Sequence, residues 1–361
     1  MMQQSPLTRL SRYFHLMRQR AREGHLPVLR QSIEMLALAL LTGNGPGYYL
    51  LAGFYRREVP WRDKQMHLGG KVYRDRLSIL NPARLRPLTQ NKLVEKSLLA
   101  SLGFPTPRVI GFLHPERGRT TTGQRLGSLD QLAALLRNHL GKRIVFKLLE
   151  GWAGHGFIVA DIDSDGGGLR VFDSRNGSDS KPVPVELLYQ TLLTGQGSAG
   201  RLIEEYFFQH SIMARFNPSS VNTCRIWVAV ERARPARVVL AYLRVGRGNS
   251  VVDNQSAGGI VAPIDMETGV TRAAIDGLPE RTVFEHHPDH GAPIAGSTIP
   301  FWTEAKMLAE ESVTAFPGLR FAGVDIAIGP EGPVILELNA SPDREGAAFV
   351  GIPSGSVVPR Q

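Results

Sequence analysis

The clearest alternation of apolar and polar positions lies in Phe321 to Asp343, FAGVDIAIGPEGPVILELNASPD. The first run, FAGVDIAI, holds one charge, Asp325, and the turn GPEGP follows; Gly and Pro there punctuate the chain. In VILELN the strand period puts Val334, Leu336 and Leu338 on one face and Ile335, Glu337 and Asn339 on the other. A second strand–loop–strand pattern spans 143–161, RIVFKLLEGWAGHGFIVAD, where Ile144–Leu149 is apolar except for Lys147. Residues 88–102 carry a helical stripe of Leu93, Ser97, Leu98 and Leu102, with Gly103 as its stop and Pro105 just beyond. Thr303–Phe316 is a helix leading into the C-terminal hairpin. Arg201–His210, RLIEEYFFQH, reads as a strand entering a hinge. The run 163–182 reads as hairpins with solvated turns, and 276–300 as a long loop over the acceptor side of the site. Segment 7–22 mixes Leu, Tyr and Phe with arginines, as a basic amphipathic helix does. Met35–Leu41 is far shorter than the ~20 apolar residues a membrane span needs, and predicts a buried helix.

Composition narrows the class. The chain has 361 residues, 42% of them apolar, which suits a globular protein of two domains or of one domain with lobes and an extension. Its single cysteine, Cys224, excludes an internal disulfide framework and sits in an apolar strand, as a buried, inert thiol does. His286, His287 and His290 surround a proline with no cysteine nearby, which reads as a loop rather than a zinc site. Charge is uneven: residues 1–92 hold 16 Lys/Arg against 5 Asp/Glu, so the +9 of the whole chain is an N-terminal property. Such a surface suits an anionic membrane face or a polyanionic acceptor; a solvated helix packed on its own lobe has the same composition. No secretory pattern opens the sequence and no specific nucleic-acid partner is expected, so the cytosol, or the inner membrane face, is the expected location.

The chemistry-bearing residues fall in these same runs. Glu337 and Asn339 share a face about 7 Å apart, and strand pairing puts Asp325 beside them. Two carboxylates and an amide oxygen are hard donors that suit Mg²⁺ (or Mn²⁺) and leave room for phosphate oxygens. Lys147 is a lone cation in an apolar strand, directly before a loop with Gly151, Gly154 and Gly156, where backbone N–H groups approach phosphate unhindered. A Gly-rich hairpin with a snorkelling lysine is the alternative. No GK[ST] follows, so this is not a Walker A loop. Lys92 stands at the start of the helix that stops at Gly103. Arg225 lies inside an apolar strand of 216–230 and needs an anion, for which its planar fork suits phosphate or carboxylate. The amide- and glycine-rich run 251–265 includes Asn254.

The order Asp…Glu-Leu-Asn resembles the metal hairpin of the ATP-grasp superfamily. The motifs NPSSVNTCRIW, DNQSAGGIVAPID and DIAI…ELN together are similar to those of its sugar-transfer-associated family, over roughly Tyr48 to Asp343. That resemblance implies an α+β ATP-grasp fold, two lobes with antiparallel sheets gripping MgATP. A helical basic lobe would span 1–87 and the grasp domain 88–343, divided near 210, with a tail over 344–361. It implies ATP and Mg²⁺ as cofactors. Lys92 and Lys147 would lie on the phosphates, the hinge near Tyr206 and Phe207 on adenine, and Glu204 or Glu205 on adenine or ribose. Relatives often carry Asp where Asn91 precedes Lys92. Arg225 would steady the transferring phosphoryl group, with Asn254 bordering it. The implied activity is an ATP-dependent carboxylate–amine ligase working through an acylphosphate, in polysaccharide or envelope-glycan modification. A kinase of a hydroxyl acceptor, or a non-catalytic nucleotide-binding scaffold, would use the same residues.

Overall fold

Helices come first in the computed structural model, which describes residues 6–360 apart from 86, 152–153, 155, 165–168, 174–181 and 232–233. These are α1 (Pro6–Arg22), α2 (Val28–Thr42), α3 (Pro46–Leu51), α4 (Trp61–Met66) and α5 (Gly70–Leu80). Proline or glycine stands at the N-cap of α2 to α5, where a fixed φ or a missing donor costs least. Leu16, Met17, Met35, Leu38 and Tyr49 form the core of this lobe. Glu34 is buried in it, paired with Lys64 at 2.7 Å and accepting the Tyr49 hydroxyl at 3.0 Å. The buried helix expected over Met35–Leu41 is buried on one side only. Met35 and Leu38 face the core while Leu36, Leu40 and Leu41 face solvent, because α1, α3 and α4 all pack on the same side of α2.

The helix expected to start at Lys92 and stop at Gly103 is α7 (Lys92–Ser101), and a separate short helix, α6 (Pro87–Gln90), precedes it. Asn91 breaks them and caps α7, its Oδ1 accepting from the N–H of Leu93 at 3.1 Å and of Val94 at 3.3 Å. Gly103, at φ 78°, ends the helix as expected. The buried face is a different one: Glu95, Lys96 and Leu99 point inward, whereas Ser97 and Leu102 are exposed. Periodicity missed this because the inward charges meet partners from distant strands.

The first sheet holds β1 (Val109–Leu113), β2 (Arg119–Thr120), β3 (Arg143–Leu148), β4 (Ile158–Ser164), β5 (Leu169–Asp173) and β6 (Arg201–Glu205), in the order β2-β1-β6-β3-β4-β5. Helices α8 (Leu129–Arg137) and α9 (Val185–Leu193) cover one face, burying Leu132, Leu136, Leu188 and Leu192 against Ile144, Phe146 and Ile203. Ser128 and Gln131 form a capping box at the start of α8. The β4–β5 hairpin agrees with the strands expected in 163–182; the rest of that stretch lies outside the described residues.

After α10 (Ser211–Phe216) comes the second sheet: β7 (Thr223–Ala229), β8 (Arg237–Val245), β9 (Ile260–Pro263), β10 (Ala274–Ile275), β11 (Val283–Phe284), β12 (Phe321–Gly329) and β13 (Gly332–Asn339). Its order is β11-β10-β9-β8-β7-β12-β13, all antiparallel. Helix α11 (Trp302–Ala315) packs on one face through Ala305, Ala309 and Val313. Tyr73 and Leu77 of α5, with Ala347 and Phe349 of α12 (Glu345–Val350), pack on part of the other against Trp227, Leu240 and Tyr242. The described residues 344–360 of the stretch expected as a tail therefore include α12 and α13 (Ser354–Val357) and join that core. Asn81 ties the helical lobe to the sheet, donating at 2.6 Å to the carbonyls of Phe321 and Ala340 and accepting from Arg320 and Phe321.

The β12–β13 hairpin departs from strict alternation. Asp325 pairs with Glu337, but the next residue, Ile326, pairs with Ile335, so Leu336 is an extra residue in β13. Ile335 consequently joins Leu338 in the core, instead of sharing the face of Glu337 and Asn339. The bulge's backbone is satisfied from outside the sheet. Ile335 N–H donates to Pro105 at 2.8 Å, and its carbonyl accepts from Thr106 at 2.9 Å and Lys96 at 3.1 Å.

Candidate active site

A cleft of about 770 Å³ lies between the two sheets. One rung of the large sheet builds its floor. Tyr242 on β8, Arg225 on β7, Asp325 on β12 and Glu337 on β13 are successive cross-strand partners, so their side chains share a face. Asn339 lies opposite Gly323, whose missing side chain leaves space that Arg225 and Pro342 approach. Asp325, Glu337 and Asn339 all line the cleft.

Arginine neutralises this floor. Arg225 grips Asp325 with Nε on Oδ1 and Nη2 on Oδ2, the latter at 3.0 Å. Arg244, also inside an apolar strand, reaches Asp325 at 3.0 Å, Asp253 at 3.2 Å, Thr223 at 3.0 Å and Asn254 at 3.4 Å. Burial works to raise the Asp325 carboxyl, but the two guanidiniums carry it below its ordinary value. Asp253 rises instead, because burial outweighs the help of Arg244 and Thr223.

The opposite wall carries the lysines. Lys147 on β3 pairs with Glu204 on β6 at 2.5 Å, and Lys96 approaches the same carboxylate at 3.7 Å. Glu204 is almost fully buried; its desolvation is outweighed by Lys147 and then Lys96, and its acidity is strengthened. The Lys92 N–H donates to Leu149 at 2.9 Å, which pins the start of α7 to the end of β3. Its Nζ spans the cleft to Glu337 at 2.9 Å and to the Gly151 carbonyl at 3.3 Å. Burial lowers this ammonium's pKa, yet the Glu337 charge and hydrogen bond raise it overall.

Glycines 151 and 154 line the cleft, with Gly154 at φ 70°. A Cβ on Gly154 would meet Val252 at 2.8 Å and the Asn254 amide at 2.9 Å, so the glycine loop and the amide-rich run touch across the cleft. Gly156 is set back, its carbonyl taken by Arg201 behind the loop. Trp152, Ala153 and His155 of the same loop lie outside the described residues. Glu205, Tyr206 and Phe207 form the hinge wall, with the Arg143 guanidinium 5.0 Å from the Tyr206 ring and Glu205 paired to Arg108 at 3.3 Å.

Most residues expected from the sequence therefore meet in one place; Gly156 stands outside it, and two further readings change. Glu204 is spent on Lys147 and Lys96, so of the glutamate pair only the half-exposed Glu205 is open to a ligand. The 276–300 loop, expected over the acceptor side, contributes nothing to the cleft and braces the helical lobe instead. There Glu280 receives Arg12, and Arg281 donates to the Leu51, Ala348 and Phe349 carbonyls. Sequence reasoning missed Arg244, Asp253, Lys96 and Glu95. Arg244 was legible by the argument used for Arg225, since RVVLAYLRV also buries a cation in a strand. Glu95 and Lys96 sit in an ordinary helical pattern that gives no such signal.

The donor set fits a hard divalent cation. Glu337 engages one oxygen with Lys92, and Asn339 Oδ1 accepts only from Ser341 N–H, at 2.9 Å, in the contacts described. Asp325 Oδ2 accepts from both guanidiniums and Oδ1 from Arg225, and a carboxylate oxygen with one hydrogen bond keeps a lone pair for a cation.

Residues 73–359 match the family described as sugar-transfer associated ATP-grasp. Among solved structures, the chain is similar to the ATP-grasp ligase PsnB complexed with minimal precursor: 15% identity, 77% of this chain and 62% of that chain, TM-score 0.38. It is similar to the Campylobacter jejuni biotin carboxylase complex: 10% identity, 77% and 47% covered, TM-score 0.45. It is similar also to the D-alanine-D-alanine ligase from Coxiella burnetii: 10% identity, 71% and 48% covered, TM-score 0.36. The chain thus spans less than two thirds of the length of each. No curated protein matches it.

Proposed function

The chain belongs to the sugar-transfer associated ATP-grasp family, and on that premise we propose that it is an ATP-dependent ligase joining a carboxylate to an amine through an acylphosphate. The observation that carries this reading is the rung Arg225–Asp325–Glu337 facing Lys92 and Lys147 across one cleft. Cations and hard oxygens on opposed walls suit a nucleoside triphosphate with a divalent cation, and little else calls for both at once. Adenine lies against the hinge at Tyr206 and Phe207, and the triphosphate runs along the glycine loop toward Lys147 and Lys92. Asp325, Glu337 and Asn339 would hold Mg²⁺, which when bound would supply screening of the phosphate charge.

A substrate carboxylate oxygen attacks the γ-phosphorus, the bond to the β-phosphate bridging oxygen breaks, and ADP leaves. The amine nitrogen then attacks the acyl carbon, the carbon–oxygen bond to phosphate breaks, and the nitrogen gives up a proton. The protein contributes position and charge more than covalent chemistry. Lys147, fixed by Glu204, orients the phosphates. Arg225 and Arg244 meet the transferring group as it develops charge, and Asn254 borders it. The family's association with sugar transfer supports a glycan-borne acid or amine as one substrate, and the need for ATP supports the cytosol as its location.

Hydroxylamine tests this directly. With ATP, Mg²⁺ and a panel of sugar acids, the protein should release ADP and form an acyl hydroxamate. A phosphate ester on a hydroxyl acceptor would show a kinase. Nucleotide binding without turnover on any acid would show a scaffold.

A further inference from the structure

The exposed side of α2 is unusual for a helix in a packed lobe. Leu29, Ile33, Leu36 and Leu40 recur at helical spacing along it, and Leu29, Leu36 and Leu40 are 73%, 64% and 78% exposed. Leu10 and Phe14 of α1 are exposed as well, followed on the same stripe by the exposed Arg18 and Arg22. The Arg18 guanidinium lies 5.9 Å from the Phe14 ring. Helix α1 is held rigidly, because Arg12 forks onto Glu280 at 2.6 Å and Arg20 donates to the Glu280 carbonyl.

The lobe's acids do little to offset its arginines outward. Glu34 is buried between Arg30 and Lys64, Glu23 pairs with Arg20, Glu58 with Arg56, and Asp75 with Lys71. Residues 1–92 retain the excess of 16 cations over 5 anions. Among the described residues, none of these charges except Lys92 lines the cleft. A second copy seated on this face would bring the same positive field against itself, whereas an anionic bilayer complements it. Among the described residues no helix is long and apolar enough to cross a membrane. At about 1.5 Å per residue, the 15-residue α2 is suited to lie in the interface plane.

We propose that the exposed leucine face of α2, with the arginine-bearing α1 beside it, docks this protein onto an anionic phospholipid surface. The leucines enter the headgroup boundary, and Arg18 and Arg22 meet lipid phosphates. This inference is independent of the chemistry assigned to the cleft.

The test is co-sedimentation of the full chain with phosphatidylcholine vesicles, with and without phosphatidylglycerol, at low and high salt. The parent should bind only the anionic vesicles, and less so at high salt. Leu36→Glu/Leu40→Glu should weaken partitioning roughly tenfold or more, with melting temperature and nucleotide affinity unchanged. Arg18→Gln/Arg22→Gln should weaken it too and flatten the salt dependence. A parent that ignores anionic vesicles at low salt overturns the proposal. So does parent-like binding by the leucine variant, or sedimentation velocity showing that these leucines hold a dimer while vesicle binding is unaffected.

Discussion

Glu204 explains how a lysine can stand in the middle of β3. Its carboxylate lies 2.5 Å from Lys147 and 3.7 Å from Lys96 and aims Lys147 into the cleft, while burial still lowers the Lys96 pKa to about 8. Lys147→Ala should therefore weaken ATP binding on the order of tenfold to a hundredfold, the range of one charge-assisted contact, while the fold survives on the Lys96 pair. Titration calorimetry alongside thermal melting reads both; a lowered melting point with unchanged affinity would make Lys147 structural. Arg244 is the residue-scale discovery. It shares Asp325 with Arg225, so the two guanidiniums form a unit whose partner oxygens are also the expected cation ligands. Arg225→Lys and Arg244→Lys keep the charge but lose the fork, and each should cost about a hundredfold in turnover with a smaller change in ATP affinity. Turnover within about twofold of the parent would remove either residue from the transferring group.

At the scale of elements, two contacts decide whether the cleft works. One is the glycine loop against the 251–255 run. Gly154→Ala puts a methyl group into Val252 and Asn254 at a left-handed φ, so it is strained in the backbone and obstructed in space. Turnover should fall at least tenfold, with protein stability lowered by about 1 kcal/mol or more. Wild-type kinetics in this variant would show that the loop's approach to Asn254 is incidental. The other is the bulge at Leu336, which turns Ile335 into the core while leaving Glu337 and Asn339 in the cleft. Thr106 and Lys96 satisfy the bulged carbonyl, so Thr106→Val should destabilise the fold by about 1–2 kcal/mol in denaturant titration.

For the whole molecule, the helical lobe is fused to the catalytic sheet rather than tethered to it. Asn81, Arg281 and Arg344 bridge the two, and Arg344 lies 4.3 Å from the Tyr48 ring while donating to Asn44 at 2.5 Å. His67 belongs to this seam. Burial, then the Arg344 charge, lowers its pKa from 6.5 to about 4. The unfolded chain therefore binds a proton near pH 6.5 that the folded chain refuses until about pH 4. Stability should fall across that window by up to about 3 kcal/mol. Glu204 and Asp325, both more acidic when folded, add stability that is complete above their ordinary values of 4.5 and 3.8 and lost on acidification below them. The melting curve against pH should thus carry a His67 loss between pH 6.5 and 4, set against Glu95, whose carboxyl is pushed up to about 8 by burial and then the Glu337 charge and stabilises the fold increasingly over the same range. His67→Gln should remove the His67 loss from that curve; an unchanged slope would assign it to other groups.

Much of this was legible in the sequence because local rules are strong where the chain is most apolar. A lone charge in a buried strand has few explanations, and Lys147, Arg225, Asp325 and Glu337 each announced themselves in that way. The helix end at Gly103 followed from backbone preference alone. What tertiary structure decided were the partners. Glu95 and Lys96 turn inward only because Glu204, Ile335 and Leu338 wait there from other strands. Ile335 leaves its expected face because register, not alternation, governs a bulged strand. The leucines of α2 face solvent because a helix buries only the side its neighbours reach, and no pattern in one segment records how many neighbours will come.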